Sequence, residues 1–246
     1  NSEFPTELLR KGRENEVFNL IKFDAFDAVD NVPLNTQVYD MTWVDEWRGE
    51  DVRSRLCVRQ FKAAEFRDDV FAGTPDTFFI RVELALASAR PDFAVMIIDI
   101  SVAFMHARND EIIYVKPPKD IIGSKYWRLK AAVSGTRKAS QLWQEFSAEQ
   151  LMDMLFDRND VNPCIYHHEK YEIQAEQRGD DFLITGPRDA FDELAKGFQK
   201  PFLVKKIEII LTRPGDQKVG HFLKRKIWVD EVGWHMSMDG RYVTTL

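Results

Sequence analysis

The sequence of 246 residues contains little cysteine and no long apolar run. Its two cysteines, Cys57 and Cys164, lie far apart without metal-ligand spacing, which excludes a disulfide scaffold and a zinc site. The longest apolar stretches, such as 93–98, are far shorter than the roughly 20 residues of a membrane helix, and no signal-peptide pattern is present. We expect an intracellular protein without a membrane partner. Because the first residue is Asn1, we also expect a piece of a longer chain.

Apolar residues make up 44% of the sequence, enough for a large core in one or two domains. The net charge of −6 argues against a nonspecific nucleic-acid binder, but the basic residues are unevenly distributed. Two basic clusters are suited to binding phosphate, although solvated surfaces are the alternative interpretation. The clusters are Lys125, Arg128, Lys130, Arg137 and Lys138, and then Lys196, Lys200, Lys205, Lys206, Arg213, Lys218, Lys224, Arg225 and Lys226.

Local patterns predict alternating strands and helices after an irregular segment at 1–40. Two extended runs, 42–47 and 53–61, flank Arg48-Gly-Glu-Asp51, whose turn chemistry predicts a β-hairpin. In the second run Arg53 and Arg55 alternate with apolar residues, which predicts a positively charged strand face.

Apolar periodicity predicts the elements that follow. Asp76 is expected to cap a helix that ends near Arg90 and buries Phe79, Val82, Leu86 and Ala89. A nearly continuous apolar strand at 93–98 then ends at Asp99. Further predictions include helices at 139–155 and 187–199 and strands at 202–209, 219–229 and 233–238.

Three carboxylates stand at the ends of predicted strands. Asp99 follows one apolar strand, and Asp180 and Asp181 occupy a tight turn that begins another. Adjacent carboxylates repel each other unless a cation lies beside them, and oxygen ligands suit Mg²⁺ or Mn²⁺. Such a site supports two-metal nucleotidyl transfer. The alternative interpretation is that Asp99 caps a turn and that the Asp pair belongs to an ordinary hairpin.

Seven segments, taken in order, resemble those of one known family. Among them, the segment that begins at Asp99 is similar to polymerase motif A, and the one at 179–181 to motif C. The segments are Trp43-Val44 with Arg53-Ser-Arg-Leu-Cys-Val-Arg59, Phe71-Ala-Gly-Thr-Pro75, Asp99-Ile-Ser-Val-Ala-Phe104, Ile113-Tyr-Val-Lys-Pro-Pro118, 129–143, Gly179-Asp180-Asp181 and Phe222-Leu-Lys-Arg-Lys-Ile227. Over about 42–246 the sequence thus resembles the reverse transcriptase domain of copia-type retrotransposon Pol polyproteins.

The resemblance implies an α+β fold, with a reverse-transcriptase-like palm of antiparallel sheet packed on helices, fingers and the start of a thumb. It divides the chain into an N-terminal segment at 1–40, fingers and palm at 41–200, and the end of the palm and start of the thumb at 201–246. The implied activity is RNA-directed DNA polymerisation with Mg²⁺ or Mn²⁺. The implied partners are an RNA or DNA template-primer and deoxynucleoside triphosphates.

The resemblance also assigns site residues. It makes Asp99, Asp180 and Asp181 the catalytic and metal-binding carboxylates. The nucleotide-binding residues that it implies are Arg53, Arg55, Phe104, Gly135, Arg137 and Lys138. Contacts to the template-primer backbone fall to Lys205, Lys206, Lys224, Arg225 and Lys226. Plain core packing is the alternative role for Phe104, and solvent-exposed charge is the alternative for Arg53 and Arg55.

Several residues depart from the family pattern. They are Gln60 for glycine, Ser134 for tyrosine, Lys138 for glutamine, Ser140 for proline, and Arg178-Gly179 for tyrosine-valine. The departures leave a second hypothesis open, that of a catalytically silent nucleic-acid-binding remnant with the same fold. A third is an unrelated α+β domain with a coincidental Asp pair.

Overall fold

The computed structural model describes residues 4–60, 70, 72–121, 123–211 and 213–238. The positions predicted at Phe61, at Phe71 and at 239–246 therefore lie outside the described residues. The chain divides into two compact units, each discontinuous in sequence. Unit 1 comprises Asn1–Ala72 and Val102–Phe146, and unit 2 comprises Gly73–Ser101 and Ser147–Leu246.

Five α-helices and fourteen β-strands form within the described residues. The helices are α1 (Thr6–Lys22), α2 (Phe78–Ala89), α3 (Ala103–His106), α4 (Ala139–Asp153) and α5 (Phe191–Phe198). The strands are β1 (Phe26–Val29), β2 (Val38–Arg48), β3 (Asp51–Val58), β4 (Phe93–Ile100), β5 (Tyr114–Lys116), β6 (Tyr126–Leu129), β7 (Asp157–Arg158), β8 (Ile165–His168), β9 (Ile173–Arg178), β10 (Asp181–Pro187), β11 (Val204–Ile210), β12 (Val219–Phe222), β13 (Arg225–Val229) and β14 (Trp234–Met236).

Unit 1 is built on a sheet with the strand order β1-β6-β5-β2-β3, as far as the chain is described. β2 and β3 form the predicted antiparallel hairpin, in which Arg48 pairs with Asp51 across the Gly49-Glu50 turn. Along β3, buried Leu56 and Val58 alternate with the more exposed arginines, because successive side chains of a strand point to opposite faces. The hairpin and its basic face are confirmed.

The prediction of an irregular N-terminal segment is wrong, because residues 6–22 form α1. Its sequence is polar and carries only a weak apolar stripe, so local periodicity did not reveal the helix. Packing against β3 stabilises it: a Cβ on Gly12 would lie 2.6 Å from the Val52 carbonyl oxygen. The carboxylate of Glu16 accepts a hydrogen bond of 3.2 Å from the Leu56 amide.

Unit 2 contains a fully antiparallel sheet with the order β11-β4-β10-β9-β8-β7 in its described part. β4 lies between β11 and β10, and all its residues are buried except Asp99, which is half-buried. This confirms the predicted apolar strand, which extends one residue further, to Ile100. Helices cover both faces of the sheet: Leu183 packs in a cluster with α2, and the Phe182 ring lies 5.3 Å from that of Phe198 in α5.

The predicted helix after Asp76 is present, but the predicted buried stripe is wrong. The Asp76 carboxylate accepts a hydrogen bond of 2.8 Å from the Phe78 amide, as a capping residue does. The buried residues of α2 are Ile80, Glu83, Leu84 and Ala87, whereas Leu86 is exposed. The helix is thus rotated by about one residue, because Ile80 and Leu84 meet Val95, Ile97 and Leu183 on the sheet.

The predicted strand at 219–229 is in fact a hairpin of β12 and β13, joined by Leu223 and Lys224. Both turn residues have positive φ, +50° and +63°, which a two-residue hairpin turn of type I′ requires. Neither is glycine or asparagine, so the local sequence did not predict the turn. With β14 the hairpin forms a three-stranded sheet, of which Phe222 and Ile227 pack into the core beside α2.

No helix in the described part of the chain is long and apolar enough to cross a membrane.

Candidate active site

The register of β4 and β10 places two of the three predicted carboxylates side by side. Asp99 is the direct cross-strand partner of Asp181. Directly opposed residues of an antiparallel pair project from the same face, with Cβ atoms roughly 4.5–5.5 Å apart. Asp180 precedes Asp181 in the β9–β10 turn, and its carbonyl oxygen accepts a hydrogen bond of 3.0 Å from the Ile100 amide. The structure therefore brings Asp99, Asp180 and Asp181 together at one end of the sheet.

The turn itself depends on Gly179. Arg178 pairs with Asp181, so Gly179 and Asp180 form a two-residue hairpin loop. Gly179 has a φ of +60°, and Asp180 is not among the positive-φ residues, a pattern typical of a type II′ turn. Glycine at its first central position makes this tight turn possible, and the turn presents the two aspartates at the end of β10.

The donor set of the carboxylates fits a divalent cation, although their arrangement is not that of a formed metal site. Among the described residues, no group of three or more His, Cys, Asp or Glu side chains has the geometry of such a site. The ammonium of Lys205 instead forms an ion pair with Asp99 Oδ2. Two adjacent carboxylates, one of which already binds the Lys205 ammonium, form a group of oxygen ligands that can bind a cation. Oxygen ligands of this kind fit Mg²⁺ or Mn²⁺.

Arg178 lies beside the carboxylates on the strand β9, where it is the cross-strand partner of Asp181. Its Nε donates to Glu176 Oε1, and its Nη2 donates to the Asp76 carbonyl oxygen at 2.5 Å. Glu176 is fully buried, and burial raises the pKa of its carboxyl group although the Arg178 charge opposes the shift. This Glu176–Arg178 pair was not predicted from the sequence, although the alternation of polar residues along β9 was an available signal.

The predicted nucleotide-binding residues all belong to unit 1. Arg53 and Arg55 lie on the same face of β3, and Arg55 forms an ion pair of 3.0 Å with Glu46. Arg53 lines a surface cavity of about 310 Å³ between α1 and β3, together with Lys11 and Arg48.

Three more of these residues lie just before or at the start of α4. Lys138 is held by the Asp110 carboxylate at 2.6 Å. The backbone amide of Arg137 donates to the side-chain oxygen of Gln60 at 2.9 Å. Gly135 has a φ of +87°, and a Cβ there would lie 2.2 Å from the Val58 carbonyl oxygen. Gly135 therefore has a packing role, independent of any ligand.

Phe104 is half-buried in α3 and packs against a cluster that contains Ala107, Ala132 and Ala139. The residue just before α3, Val102, has a φ of +48°, a left-handed conformation that is costly for a β-branched side chain. Strained backbone of this kind clusters at functional sites. The packing agrees with the core role that was left open for Phe104, and the strain lies in the segment that is similar to motif A.

The predicted template-primer residues fall into two groups in unit 2. Lys224 occupies the β12–β13 turn, with Arg225 directly after it, and the ammonium of Lys226 lies 5.1 Å from the centre of the Trp228 ring. Lys205 and Lys206 lie in β11, where Lys206 forms an ion pair of 2.8 Å with Glu208.

A sequence model of the family described as reverse transcriptase (RNA-dependent DNA polymerase) matches residues 23–212. This match covers most of the chain, and the chain therefore belongs to the reverse transcriptase family of copia-type retrotransposons. The chain is 24% identical, over 240 residues, to the retrovirus-related Pol polyprotein from transposon TNT 1-94 of Nicotiana tabacum. The alignment covers 91% of this chain but only 18% of that polyprotein. The resemblance stated from the seven segments is confirmed.

Solved structures support the fold. A telomerase from Candida albicans, in complex with a fragment of telomeric RNA, matches with a TM-score of 0.57 at 8% identity. The match covers 96% of this chain and 50% of the telomerase chain. A foamy viral protease-reverse transcriptase, in complex with double-stranded DNA, has a TM-score of 0.51 at 11% identity, covering 96% and 36%. At such identities the likeness concerns the fold alone, and the predicted α+β fold with a reverse-transcriptase-like palm is confirmed.

Proposed function

We propose that this chain is the polymerase core of a reverse transcriptase, which extends a primer 3′-hydroxyl on an RNA template. The observation that carries the proposal is the pairing of Asp99 with Asp181, with Asp180 beside them, in a chain of this family. The predicted division into fingers, palm and the start of a thumb is part of the same proposal.

In the proposed reaction the primer 3′-hydroxyl loses its proton to solvent, and its oxygen forms a bond to the α-phosphorus of a deoxynucleoside triphosphate. The bond to the bridging oxygen breaks, and pyrophosphate leaves with the electron pair. Asp99, Asp180 and Asp181 would hold Mg²⁺ or Mn²⁺, and the bound ion would supply positive charge that favours loss of the hydroxyl proton and stabilises the leaving group. The Gly179 turn and the hydrogen bond from the Ile100 amide to the Asp180 carbonyl oxygen hold the carboxylates in position.

The basic residues of unit 1 are proposed to bind the nucleotide. Arginine matches the geometry of phosphate oxygens with two parallel hydrogen bonds, which suits Arg53 and Arg55. The half-exposed ion pair of Arg55 with Glu46 is weak enough for a triphosphate to replace it. Arg137, Lys138 and Gly135 are proposed to border the nucleotide, and Phe104 its sugar.

The lysines and arginine of β11 and of the β12–β13 hairpin are proposed to contact the template-primer. Such contacts go to the phosphate backbone and depend strongly on salt concentration. Lys224 and Arg225, at the turn, can contact the phosphate groups of a nucleic acid independently of its base sequence. The five residues in this role are Lys205, Lys206, Lys224, Arg225 and Lys226.

Primer extension on an RNA template tests the proposal. We expect Mg²⁺-dependent incorporation by the wild-type chain, and Asp180→Asn should reduce its rate at least about 100-fold, an order of magnitude typical of losing a charge-stabilising group. The matched control is Asp160→Asn, an exposed aspartate near β7 that lies outside the proposed site, and it should leave the rate unchanged.

Two results would contradict the assignment. Extension that survives Asp180→Asn would exclude Asp180 from the chemistry. Absence of extension by the wild type, together with template-primer binding that is equal with and without Mg²⁺, would favour the silent nucleic-acid-binding remnant instead.

A further inference from the structure

A row of four charged residues crosses four strands at the end of the unit 2 sheet. Cross-strand pairing aligns Arg178 with Asp181, Asp181 with Asp99, and Asp99 with Lys206. Paired residues of antiparallel strands share a face, so two carboxylates stand between a cation on each side. The formal charges of these four residues sum to zero, and Arg178 and Lys206 also form ion pairs with Glu176 and Glu208.

A β-bulge decides which lysine reaches the carboxylates. The register of β11 against β4 shifts between Val204 and Lys206, so that Lys205 and Lys206 together oppose Asp99. A bulge re-aims side chains, and here it separates two neighbouring lysines. Lys205 forms the ion pair with Asp99, whereas Lys206 pairs with the buried Glu208.

The exposure of the pair indicates that it can open. The Lys205 side chain is 40% exposed and that of Asp99 is 25% exposed, so water reaches both groups. Ion pairs in this setting are weak, since water screens the attraction between the two charges. The four-carbon stem of lysine is flexible and lets the ammonium move aside without a change in the backbone.

We propose that Lys205 is an internal counter-ion of Asp99, which occupies the carboxylate in the metal-free protein and is displaced when a divalent cation binds. This inference rests on the proposed function, because it assumes that Asp99 is a metal ligand. Lys205 then sets the metal affinity of the site: each binding event breaks one ion pair and leaves a positive charge near the incoming cation. Lys205 is thus a positioning residue that acts through Asp99.

Binding of Mn²⁺ to the full chain, followed by the paramagnetic resonance signal of free Mn²⁺, tests the inference without requiring catalysis. Lys205→Gln should tighten binding about three- to tenfold, the range expected when a unit charge about 6–13 Å from a divalent ion, where the displaced ammonium would remain, is removed in a largely aqueous setting. Lys218→Gln is the control and should change the affinity less than about twofold, since this exposed lysine lies outside the row of charges at Asp99. Asp99→Asn should weaken binding at least about tenfold.

The outcomes separate this inference from the proposed function. If wild type and Lys205→Gln bind Mn²⁺ equally while Asp99→Asn weakens binding, the metal site stands and the counter-ion role is overturned. Weaker binding by Lys205→Gln would overturn that role as well. If Asp99→Asn leaves the affinity unchanged, the proposed metal site fails and the inference fails with it. Lys205→Met, which keeps most of the aliphatic stem, repeats the test in case the glutamine variant folds poorly.

Discussion

Replacing Gly135 with alanine isolates the steric role of a residue that the family resemblance assigns to nucleotide binding. Two costs add. A φ of +87° is left-handed, which costs a residue with a Cβ about 1–2 kcal/mol. The new Cβ would also lie 2.2 Å from the Val58 carbonyl oxygen and 2.9 Å from its nitrogen, so backbone must move. Overpacking of this kind costs about 1–3 kcal/mol, and we expect a total loss of about 2–5 kcal/mol in the free energy of unfolding.

Gly49→Ala is the matched control within unit 1. Gly49 has a φ of +63°, yet no described atom lies within 4 Å of the position that its Cβ would take, so only the conformational cost of about 1–2 kcal/mol applies. Urea denaturation followed by tryptophan fluorescence measures both variants. The unfolded-state entropy change is the same for both substitutions and cancels in the comparison.

Equal destabilisation by the two alanine variants would refute the steric argument. In that case the approach of Gly135 to Val58 would be relieved at no cost, and a loss of polymerase activity in Gly135→Ala could be assigned to the nucleotide. If Gly135→Ala is the more destabilising variant, as expected, a loss of polymerase activity in it is attributed to lower folding stability before any loss of nucleotide binding.

Two further predictions concern unit 2. Glu83 is almost fully buried with one carboxylate oxygen lacking a hydrogen-bond partner among the described residues, and burial raises its pKa from 4.5 to about 8. The folded state therefore retains a proton that the unfolded state loses, so the free energy of unfolding falls as the pH rises from about 4.5 to 8. Glu83→Gln should remove up to about 4 kcal/mol of this loss. Urea denaturation at pH values of about 5 and 8.5 measures the difference. A pH dependence unchanged by the substitution would contradict it. Lys224→Gly relieves a φ of +63° in the β12–β13 turn and should raise the unfolding free energy by about 0.5–1 kcal/mol. Arg225→Gly, in the strand that follows, should lower it by a similar amount in the same thermal or urea denaturation.

Much of the local structure could be predicted from the sequence. The Gly49 turn, the apolar strand before Asp99 and the tight turn at Gly179 all follow from signals within a few residues. Their cause is local: turn conformations select particular residues, and a strand buried on both faces requires a continuous apolar run.

The features that were predicted wrongly from the sequence depend on contacts between distant segments. α1 has too weak an apolar stripe to be recognised, and close packing of Gly12 on β3 stabilises it instead. The turn at Leu223 and Lys224 lacks the usual residues, so its conformation is imposed by the pairing of β12 with β13. The buried face of α2 was set by the sheet beneath it, which brought Glu83 into the core.

The sequence by itself determined the family and the order of the strands and helices around the motifs, and it singled out three aspartates as candidate site residues. Only the tertiary structure decided that Asp99 stands opposite Asp181 and that Lys205, rather than Lys206, pairs with Asp99. Strand register is a relation between distant segments, and a shift of one residue turns every side chain to the other face. No pattern within β4, β10 or β11 alone contains that information, because the register is selected by the packing of both faces of the assembled sheet.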